Sequence, residues 1–550
     1  MPTGKDSLSL SQQYPNGEKI ISPGTVIVSA GGEVSDIKKV VSPVVKNDSR
    51  CSLYHIDFSF DEQRLGGSAF AQSLGKVGDD VPTVKNPEYF ADAFMAVQEM
   101  INRGWILAGH DISAGGLITT LLEMCFANTK GGMHINLHDL CGASHLNEKG
   151  EMSNEKCYDI VKVLFAENPG VVIEVSDEHK QEFKDFMEEQ GVGYAKIGYP
   201  VEDSREIEIV WPDGNGKTIA HTFDIDALRD TWYKTSYLLD CKQSFNGKAK
   251  ERFENYKKQP LEMKFNKDFT GKLSQYGTVK NGRIEKLKNG STSTLQSLNS
   301  SILRPKAAII REKGTNGERE MAYCLYLAGF DVKDVMMTDL ISGRETLEEI
   351  NMIVFCGGFS NSDVLGSAKG WAGAFLFNPK AKEALDKFYA RKDTLSLGIC
   401  NGCQLMVELG LTGAKGAKML HNDSHKFESE FISLEIPQNN SVMFGSLSGN
   451  KLGLWVAHGE GKFSLPEAES AYNVIAKYNY AGYPANPNGS DYNVAGICSE
   501  DGRHLCMMPN LERAIFPWQN AWYPADRLGD EVTPWIEAFV NARKWVEKNS

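Results

Sequence analysis

The residues best suited to do chemistry lie in the segment 397–404, Leu-Gly-Ile-Cys-Asn-Gly-Cys-Gln. An apolar run over 394–399 leads into Cys400, which stands in a Gly-x-Cys-x-Gly turn, and the residues after it favour a helix. This is the layout of a nucleophile elbow, in which glycines permit a sharp strand-to-helix turn. Because a helix N-terminus favours thiolate over thiol, the pattern predicts that Cys400 attacks a carbonyl carbon and forms a covalent intermediate.

The pair Cys400 and Cys403 also fits half of a zinc site or a redox pair. The sequence contains no second Cys-x-x-Cys and no pair of histidines at a useful spacing. The elbow is therefore the favoured interpretation of this segment.

A Gly-Gly turn at Gly357 and Gly358 follows a strand-like apolar run over 352–356. Such a turn exposes backbone N–H groups, which suits an oxyanion hole beside a nucleophile. Taken alone, the pair would be an ordinary tight turn, and His458, in the His-Gly-Glu-Gly segment 458–461, would be a structural or surface histidine. Only the combination with Cys400 favours a catalytic role.

The elements that must position these residues fall into three blocks. Residues 1–235 alternate strand-like and helical runs, and residues 236–304, rich in Lys, Asn, Ser and Gly, predict an exposed connector. From 305 to 550 a βα pattern predicts an open, mostly parallel sheet, with the site at the carboxyl ends of its strands.

Bulk composition narrows the class of protein. The chain is 41% apolar and 24% charged, as in ordinary globular proteins, and it has no apolar run long enough to span a bilayer. Its net charge of −13 argues against a broad nucleic-acid surface, and its eleven scattered cysteines favour reduced thiols over a disulfide framework. We therefore expect a cytoplasmic protein with neither a membrane nor a nucleic acid as partner.

Four pieces of the block 305–550 together resemble the class I glutamine amidotransferase domain and, more narrowly, the glutaminase domain of the phosphoribosylformylglycinamidine synthase family. They are the elbow, the Gly-Gly-Phe-Ser turn with its following Asp-Val-Leu-Gly, the His-Gly-Glu-Gly segment, and Tyr-Pro-Ala-Asn-Pro-Asn-Gly-Ser at 483–490. The resemblance implies a flavodoxin-like α/β fold with Cys400 as nucleophile and Glu512 as the acid of a triad. The residues that it implies for the oxyanion hole and for glutamine binding are Gly357, Gly358, Asn401 and Gln404.

One position departs from the family pattern. The family carries Pro-His-x-Glu, whereas residues 509–512 here are Pro-Asn-Leu-Glu, so that Asn510 stands where the resemblance places the catalytic histidine. An amide can hold a hydrogen bond but cannot exchange a proton near neutral pH. We therefore predict severely reduced glutaminase turnover, with rescue by His458 or His504 not expected.

The first block contains three further motifs: Gly-Lys-Asp-Ser at 4–7, Leu-Gly-Gly-Ser-Ala at 65–69, and a Gly-rich turn at 109–117. Gly-rich turns at helix N-termini can bind anions, although alone these motifs are ordinary caps. The block resembles the C-terminal subdomain of the second aminoimidazole-ribonucleotide-synthetase-like half of the same family, an α+β fold. That likeness implies Asp111 as a magnesium ligand and Ser113 as an ATP contact.

The resemblance implies ATP-dependent amidation of formylglycinamide ribonucleotide, with ammonia from glutamine and with ATP and Mg²⁺ required. The remaining ligands would lie in an N-terminal synthetase portion that this chain lacks, whether it is a fragment or works with a second polypeptide. The alternative is a catalytically silent glutamine-binding or assembly module that needs that portion. A stand-alone thiol hydrolase is disfavoured by the long synthetase-like block.

Overall fold

The computed structural model describes residues 3–6, 11–21, 26–29, 31–34, 36–141, 144–146, 152–156, 159–213, 215, 217–276 and 304–550. Ser7 of the first motif and the connector residues 277–303 lie outside the described residues. The chain divides into two compact units, Met1–Tyr233 and Lys234–Ser550.

The first unit is built on a seven-stranded mixed sheet. Its strands, in spatial order, are Thr218–Asp224, Glu206–Pro212, Gly132–Asn136, Ala195–Val201, Cys51–Asp57, Gly170–Ser176 and Ile106–Asp111. Every described neighbouring pair is antiparallel except Glu206–Pro212 with Gly132–Asn136. The predicted α+β class is confirmed.

Both faces of this sheet are covered because alternate residues of its central strands are apolar. Leu53 packs in a core with Leu117 and Leu121 of one helix, whereas its neighbour Tyr54 packs in a second core with Ala96 and Phe183. The helices of this unit are Ala69–Ser73, Pro87–Arg103, Gly116–Phe126, His138–Cys141, Ile160–Phe165 and Lys180–Glu189, with short 3₁₀ turns at Ile37–Lys39 and Asp177–His179. Three two-stranded ladders complete it: Thr3–Asp6 with Val26–Ser29, Ser11–Gln13 with Lys19–Ile21, and Ser144–Leu146 with Met152–Lys156.

The second unit is built on a nine-stranded sheet. Its strands, in spatial order, are Asp331–Met336, Lys306–Arg311, Met352–Phe355, Leu395–Ile399, His504–Met507, Val494–Cys498, Asn473–Tyr478, Glu428–Glu435 and Lys451–His458. The first five are parallel and the remaining ladders are antiparallel. The predicted α/β class is confirmed. The carboxyl ends of the parallel strands meet at one edge of the sheet, and the candidate active site lies at that edge.

Seven helices lie wholly within the described part of the second unit. They are Lys248–Asn255, Glu318–Ala328, Met337–Ser342, Lys369–Phe377, Pro379–Ala390, Asn401–Glu408 and Ile536–Asn549, while Ile225–Gln243 begins in the first unit and ends in the second. A two-stranded ladder joins Lys418–Leu420 to Lys462–Ser464. The 3₁₀ turns are Leu273–Tyr276, Ser360–Asp363, Gly445–Leu447, Glu469–Ala471, Asp491–Asn493, Leu511–Arg513, Pro517–Gln519 and Ala525–Arg527.

The described part of the predicted connector, residues 236–276, lies in the second unit and is tied to it by charge. The Arg252 guanidinium donates to Asp240 at 2.9 Å and to Glu428 at 2.7 Å, and Lys426 donates to Asp240 at 2.7 Å. Because Glu428 and Asp240 are more than nine-tenths buried, these pairs fix the segment onto the sheet.

Candidate active site

Cys400 occupies a sharp turn between the buried strand Leu395–Ile399 and the helix Asn401–Glu408. Its backbone angles, φ 52° and ψ −109°, lie outside the regions that side chains favour. The two flanking glycines are required by close packing: a Cβ on Gly398 would lie 2.5 Å from the Gly402 carbonyl oxygen, and one on Gly402 would lie 2.1 Å from the Phe355 oxygen. The elbow therefore requires glycine at both flanking positions of the Gly-x-Cys-x-Gly pattern.

The Gly-Gly turn lies directly against this cysteine. A Cβ on Gly357 would be 3.3 Å from Cys400 Cβ, and Gly358, at φ 117°, pairs with Thr315 in an isolated bridge. The backbone N–H groups of Gly358 and Asn401 both stabilise the thiolate of Cys400, so two donors from different loops converge on the sulfur. This is the arrangement that an oxyanion hole needs.

Burial dominates the electrostatics of the nucleophile. It raises the pKa of the Cys400 thiol to about 11, with the charge of Glu512 adding to the rise and the N–H groups of Gly358 and Asn401 opposing it. The thiol's hydrogen-bond acceptor is the Ala457 carbonyl oxygen at 3.5 Å. The helix N-terminus favours the thiolate as predicted, but burial outweighs it, so the group depends on a base.

We predict that alkylation of Cys400 by iodoacetamide accelerates by about tenfold per pH unit between about pH 7 and 10, without a plateau, because only the thiolate reacts. Mass spectrometry of the labelled peptide against pH measures it, and Cys241, which is exposed, serves as the internal control. A plateau for Cys400 below about pH 9 would contradict the raised pKa.

Asn510 lies beside the nucleophile, where the resemblance places a histidine. A Cβ built on Gly357 would lie 3.5 Å from Asn510 Nδ2. The Asn510 side-chain amide donates a hydrogen bond to Glu512 Oε1 at 2.8 Å. Both side chains are buried, and among the described residues Asn510 Oδ1 and Glu512 Oε2 have no hydrogen-bond partner. Burial raises the pKa of Glu512, and the hydrogen bond from Asn510 opposes that rise.

Neither of the two other candidate histidines is placed to act as the base. His458 is buried with Nδ1 against Asn422 Oδ1 at 3.2 Å, and its burial lowers its pKa to about 4. His504 pairs in register with Ser396, at the opposite end of the strand from Cys400, and Ser396 Oγ is 3.0 Å from its Nδ1. Burial also lowers the pKa of His504 to about 4.

Asn401 and Gln404 brace the loops around the elbow. Asn401 Oδ1 accepts from the Ser360 N–H at 3.1 Å, and its Nδ2 donates to Gln404 Oε1 at 2.9 Å. Gln404 Nε2 in turn donates to the Glu460 carbonyl oxygen at 2.8 Å. These bonds hold the loops that carry the Ser360 turn and the His-Gly-Glu-Gly segment against the first turn of the helix.

The loop 314–317 is a part of the site that sequence reasoning missed. The Asn316 N–H donates to the Gly357 carbonyl oxygen at 2.9 Å, and the Phe359 N–H donates to the Gly314 oxygen at 2.9 Å. Asn316 Oδ1 also accepts from Arg513 at 2.9 Å. The two glycines of this loop, Gly314 and Gly317, have φ angles of 94° and 84°. Glycines in the sequence indicate a turn here, but their spacing does not indicate which neighbouring turn the loop supports.

Asp111 is the last residue of the strand Ile106–Asp111 in the first unit, and Ser113 lies between that strand and the helix Gly116–Phe126. The Asp111 side chain is 73% exposed. Among the described residues no group of three or more His, Cys, Asp or Glu side chains could hold a metal ion. One exposed carboxylate does not by itself make a magnesium site, so these two assignments stay predictions.

Glu167 has a structural role that the sequence did not predict. Its Oε1 accepts from the Gly115 N–H at 2.8 Å and from the Ala69 N–H at 2.7 Å. It therefore links the Leu-Gly-Gly-Ser-Ala and Gly-His-Asp motifs at the starts of their helices, with a carboxylate at the positive end of each.

The class of protein follows from this geometry and from comparison with known domains. Residues 304–546 match the CobB/CobQ-like glutamine amidotransferase domain, and residues 59–210 match the C-terminal domain of AIR synthase related proteins. The second unit thus carries a glutamine amidotransferase domain, as its elbow and facing Gly-Gly turn indicate.

The resemblance to phosphoribosylformylglycinamidine synthases is confirmed over the whole chain. The probable enzyme of Arabidopsis thaliana, named chloroplastic/mitochondrial, is 37% identical over 569 residues, which cover 99% of this chain and 37% of the relative. The Homo sapiens enzyme is 34% identical over 577 residues, which cover 100% of this chain and 40% of the relative. The chain therefore spans about two fifths of the length of these relatives.

Among solved structures, PurLQS from Thermotoga maritima aligns with a TM-score of 0.34 at 24% identity, covering 45% of this chain and 99% of that one. Within the described residues, no helix has the length and apolar character needed to cross a membrane.

Proposed function

We propose that the second unit is a glutamine-binding class I glutaminase domain whose hydrolytic turnover is limited by Asn510. The observation that carries the proposal is the convergence of the Gly358 and Asn401 N–H groups on the sulfur of Cys400, with Asn510 and Glu512 beside it. A carboxamide carbon attacked by this sulfur would place its oxygen among donors fixed in advance.

The reaction would follow from this geometry. The Cys400 thiolate attacks the side-chain amide carbon of glutamine, and the N–H groups of Gly358 and Asn401 hold the oxyanion. Collapse of that intermediate breaks the C–N bond, releases ammonia after protonation of the nitrogen, and leaves a γ-glutamyl thioester that water hydrolyses. Asn510 can neither take the thiol proton nor deliver it to the nitrogen, and it occupies Glu512 Oε1 with its own hydrogen bond. Cys400 is buried, with a pKa of about 11, and its thiol donates to the Ala457 carbonyl oxygen rather than to a base.

An electrophilic glutamine analogue tests glutamine binding without requiring turnover. A γ-chloroketone analogue should label Cys400, as intact mass and peptide mapping would detect, and glutamine should protect it whereas asparagine should not. A Cys400→Ala variant provides the control for labelling elsewhere. Labelling that glutamine does not slow would contradict the proposed site.

We further propose that the whole assembly uses ATP to activate the formamide oxygen of formylglycinamide ribonucleotide, so that ammonia displaces phosphate and gives the amidine. The support is the pairing of an AIR-synthase-related domain with an amidotransferase domain in one chain, and the names of its relatives. Asp111 and Ser113 would face ATP, with the remaining ligands of ATP and Mg²⁺ on an N-terminal synthetase portion. We place the protein in the cytoplasm because the ten cysteines that the structure describes are all free thiols.

The two function hypotheses differ in their use of ammonia. When the chain is mixed with the synthetase portion of a relative, we expect amidine formation with ATP and ammonium chloride but very little with ATP and glutamine. Absence of product from either nitrogen source would favour the alternative, a catalytically silent assembly module.

A further inference from the structure

Arg513 is the last residue of the short 3₁₀ turn Leu511–Arg513, which carries Glu512, and its side chain reaches a second loop of the site. Arg513 Nη2 donates a hydrogen bond to Asn316 Oδ1 at 2.9 Å. The backbone N–H of Asn316 donates in turn to the Gly357 carbonyl oxygen at 2.9 Å. One side chain therefore connects the turn that carries Glu512 to the Gly-Gly turn.

The guanidinium of Arg513 also lies beside the buried carboxylate of Glu512. Arg513 Nε is buried, has no hydrogen-bond partner among the described residues, and lies 3.9 Å from Glu512 Oε1. A Cβ built on Gly317 would lie 3.4 Å from Glu512 Oε1 and 3.6 Å from Arg513 Nη2, so both groups face the same point. At these distances the guanidinium acts on the carboxylate as a nearby opposite charge and not through a direct hydrogen bond.

This charge acts on both ionisable groups that the proposed reaction uses. Burial raises the pKa of Glu512, and the hydrogen bond from Asn510 and the charge of Arg513 oppose that rise. Burial likewise raises the pKa of the Cys400 thiol to about 11, and Arg513 is among the groups that oppose it. Loss of the Arg513 charge should therefore favour the neutral forms of the carboxyl group and the thiol.

Other ionisable groups of the neighbouring elements do not replace this charge. They are Glu320 and Cys324 on the helix Glu318–Ala328, Cys356 after the strand Met352–Phe355, and the paired Arg311, Glu318 and Asp334. Glu320 raises the pKa of Glu512, and burial together with the Glu512 charge holds the pKa of both thiols well above the usual range. Next to Cys400, burial raises the pKa of Cys403 and Tyr478, so these groups are neutral as well.

We propose that Arg513 is a positioning residue of the glutaminase site. Its hydrogen bond to Asn316 aligns the turn that carries Glu512 with the Gly-Gly turn, and its charge keeps the Glu512 carboxylate ionised to orient a base at position 510. The role in turnover rests on the proposed glutaminase function, whereas the effect of the charge on Cys400 is independent of turnover.

Steady-state kinetics in the Asn510→His background test the role in turnover. Arg513→Met removes the charge and the bond, and it should lower kcat about tenfold or more with little change in KM. It should also move the acid limb of the kcat–pH profile upward by about half a pH unit or more, because Glu512 without the nearby cation takes up a proton at higher pH. Arg513→Lys keeps the charge and should restore the acid limb, whereas Asn316→Ala breaks only the bond and should lower kcat without moving the limb.

Arg319→Met is the matched control, because Arg319 is an exposed arginine on the helix Glu318–Ala328. Equal kcat values and acid limbs for the Arg513→Met and Arg319→Met variants would overturn the proposal. An acid limb that Arg513→Lys does not restore would also overturn it, since Arg513 would then have a purely structural role. If Arg513→Met does not melt cooperatively, Asn316→Ala decides, and an unchanged kcat in that variant would overturn the proposal.

Alkylation of Cys400 in a chain that retains Asn510 separates failure of this proposal from failure of the proposed function. Arg513→Met should slow the reaction with iodoacetamide about threefold near pH 8, because less of the thiol is ionised, and Arg319→Met should not slow it. Equal rates in the two variants would overturn the proposal whether or not Asn510→His hydrolyses glutamine. Slowed alkylation together with no turnover in Asn510→His would contradict the proposed function and support the action of the Arg513 charge on the site.

Discussion

Replacing Asn510 with histidine raises the rate of glutamate release from glutamine by about three orders of magnitude. An imidazole can donate one ring N–H to Glu512, as Asn510 Nδ2 does at 2.8 Å, and present its other nitrogen toward Cys400. It then takes the thiol proton and returns it to the departing nitrogen, which an amide cannot do. The measurement is glutamate release under saturating glutamine, compared between the variant and the unmodified chain.

Two controls make this result specific. Asn510→His combined with Cys400→Ser should return the rate to background, because the new base then lacks its nucleophile. Asn510→Gln changes the side chain without adding a base and should leave the rate low. An unchanged rate in Asn510→His, in a protein that still melts cooperatively, would mean that more than the base is missing.

Alanine at Gly358, introduced with Asn510→His, lowers the restored turnover by about 10²- to 10³-fold. Gly358 has a φ of 117°, and its Cβ would lie 2.6 Å from Thr315 Cα and 2.7 Å from the Asn316 nitrogen. The turn must therefore move, and it carries with it the N–H group that converges on Cys400. Steady-state kinetics should show the loss mainly in kcat rather than in KM.

Gly459→Ala in the same background is the matched control. Nothing lies within 4 Å of a Cβ at that position, although it is in the nearby His-Gly-Glu-Gly segment. We expect its kcat to stay within about threefold of the parent. Equal kcat values for the Gly358 and Gly459 variants would contradict the assignment of the Gly358 N–H to the oxyanion hole.

The elbow was predictable from the sequence because its pattern, a strand, a Gly-x-Cys-x-Gly turn and a helix, is contiguous in the chain. Gly398 is required by atoms a few residues away, in Gly402 and Met406, whereas Gly402 is required by Phe355 of the adjacent strand. The placement of the Gly-Gly turn followed from one further rule, that neighbouring parallel strands end at the same edge.

The supports of the site were less predictable because they are non-local. The loop 314–317 acts through backbone bonds to Gly357 and Phe359, and backbone donors leave no signature in side-chain type. Glu167 joins two motifs that are distant from it in sequence, since its partner Ala69 lies 98 residues earlier and its partner Gly115 lies 52 residues earlier. The Lys, Asn, Ser and Gly content of residues 236–304 predicted an exposed connector. Within its described part, the buried Asp240 pairs with Arg252, a contact between residues whose pairing only the folded unit reveals.

A reduced glutaminase activity is predicted from a single residue type, and the structure indicates why we expect no neighbouring histidine to compensate. His458 and His504 are both buried with pKa values of about 4, and each is held by another side chain. Cys400 itself is buried rather than poised as a thiolate. We therefore expect Asn510 to prevent proton transfer while leaving the pocket assembled.

The most direct test of this account measures glutamine binding and glutamate release on the same unmodified chain. Calorimetry with glutamine should show saturable binding that a Cys400→Ser variant retains, while glutamate release from the unmodified chain stays close to the rate of that variant. Release from the unmodified chain at the rate reached by Asn510→His would contradict the central claim, because it would show that catalysis proceeds without a base at position 510.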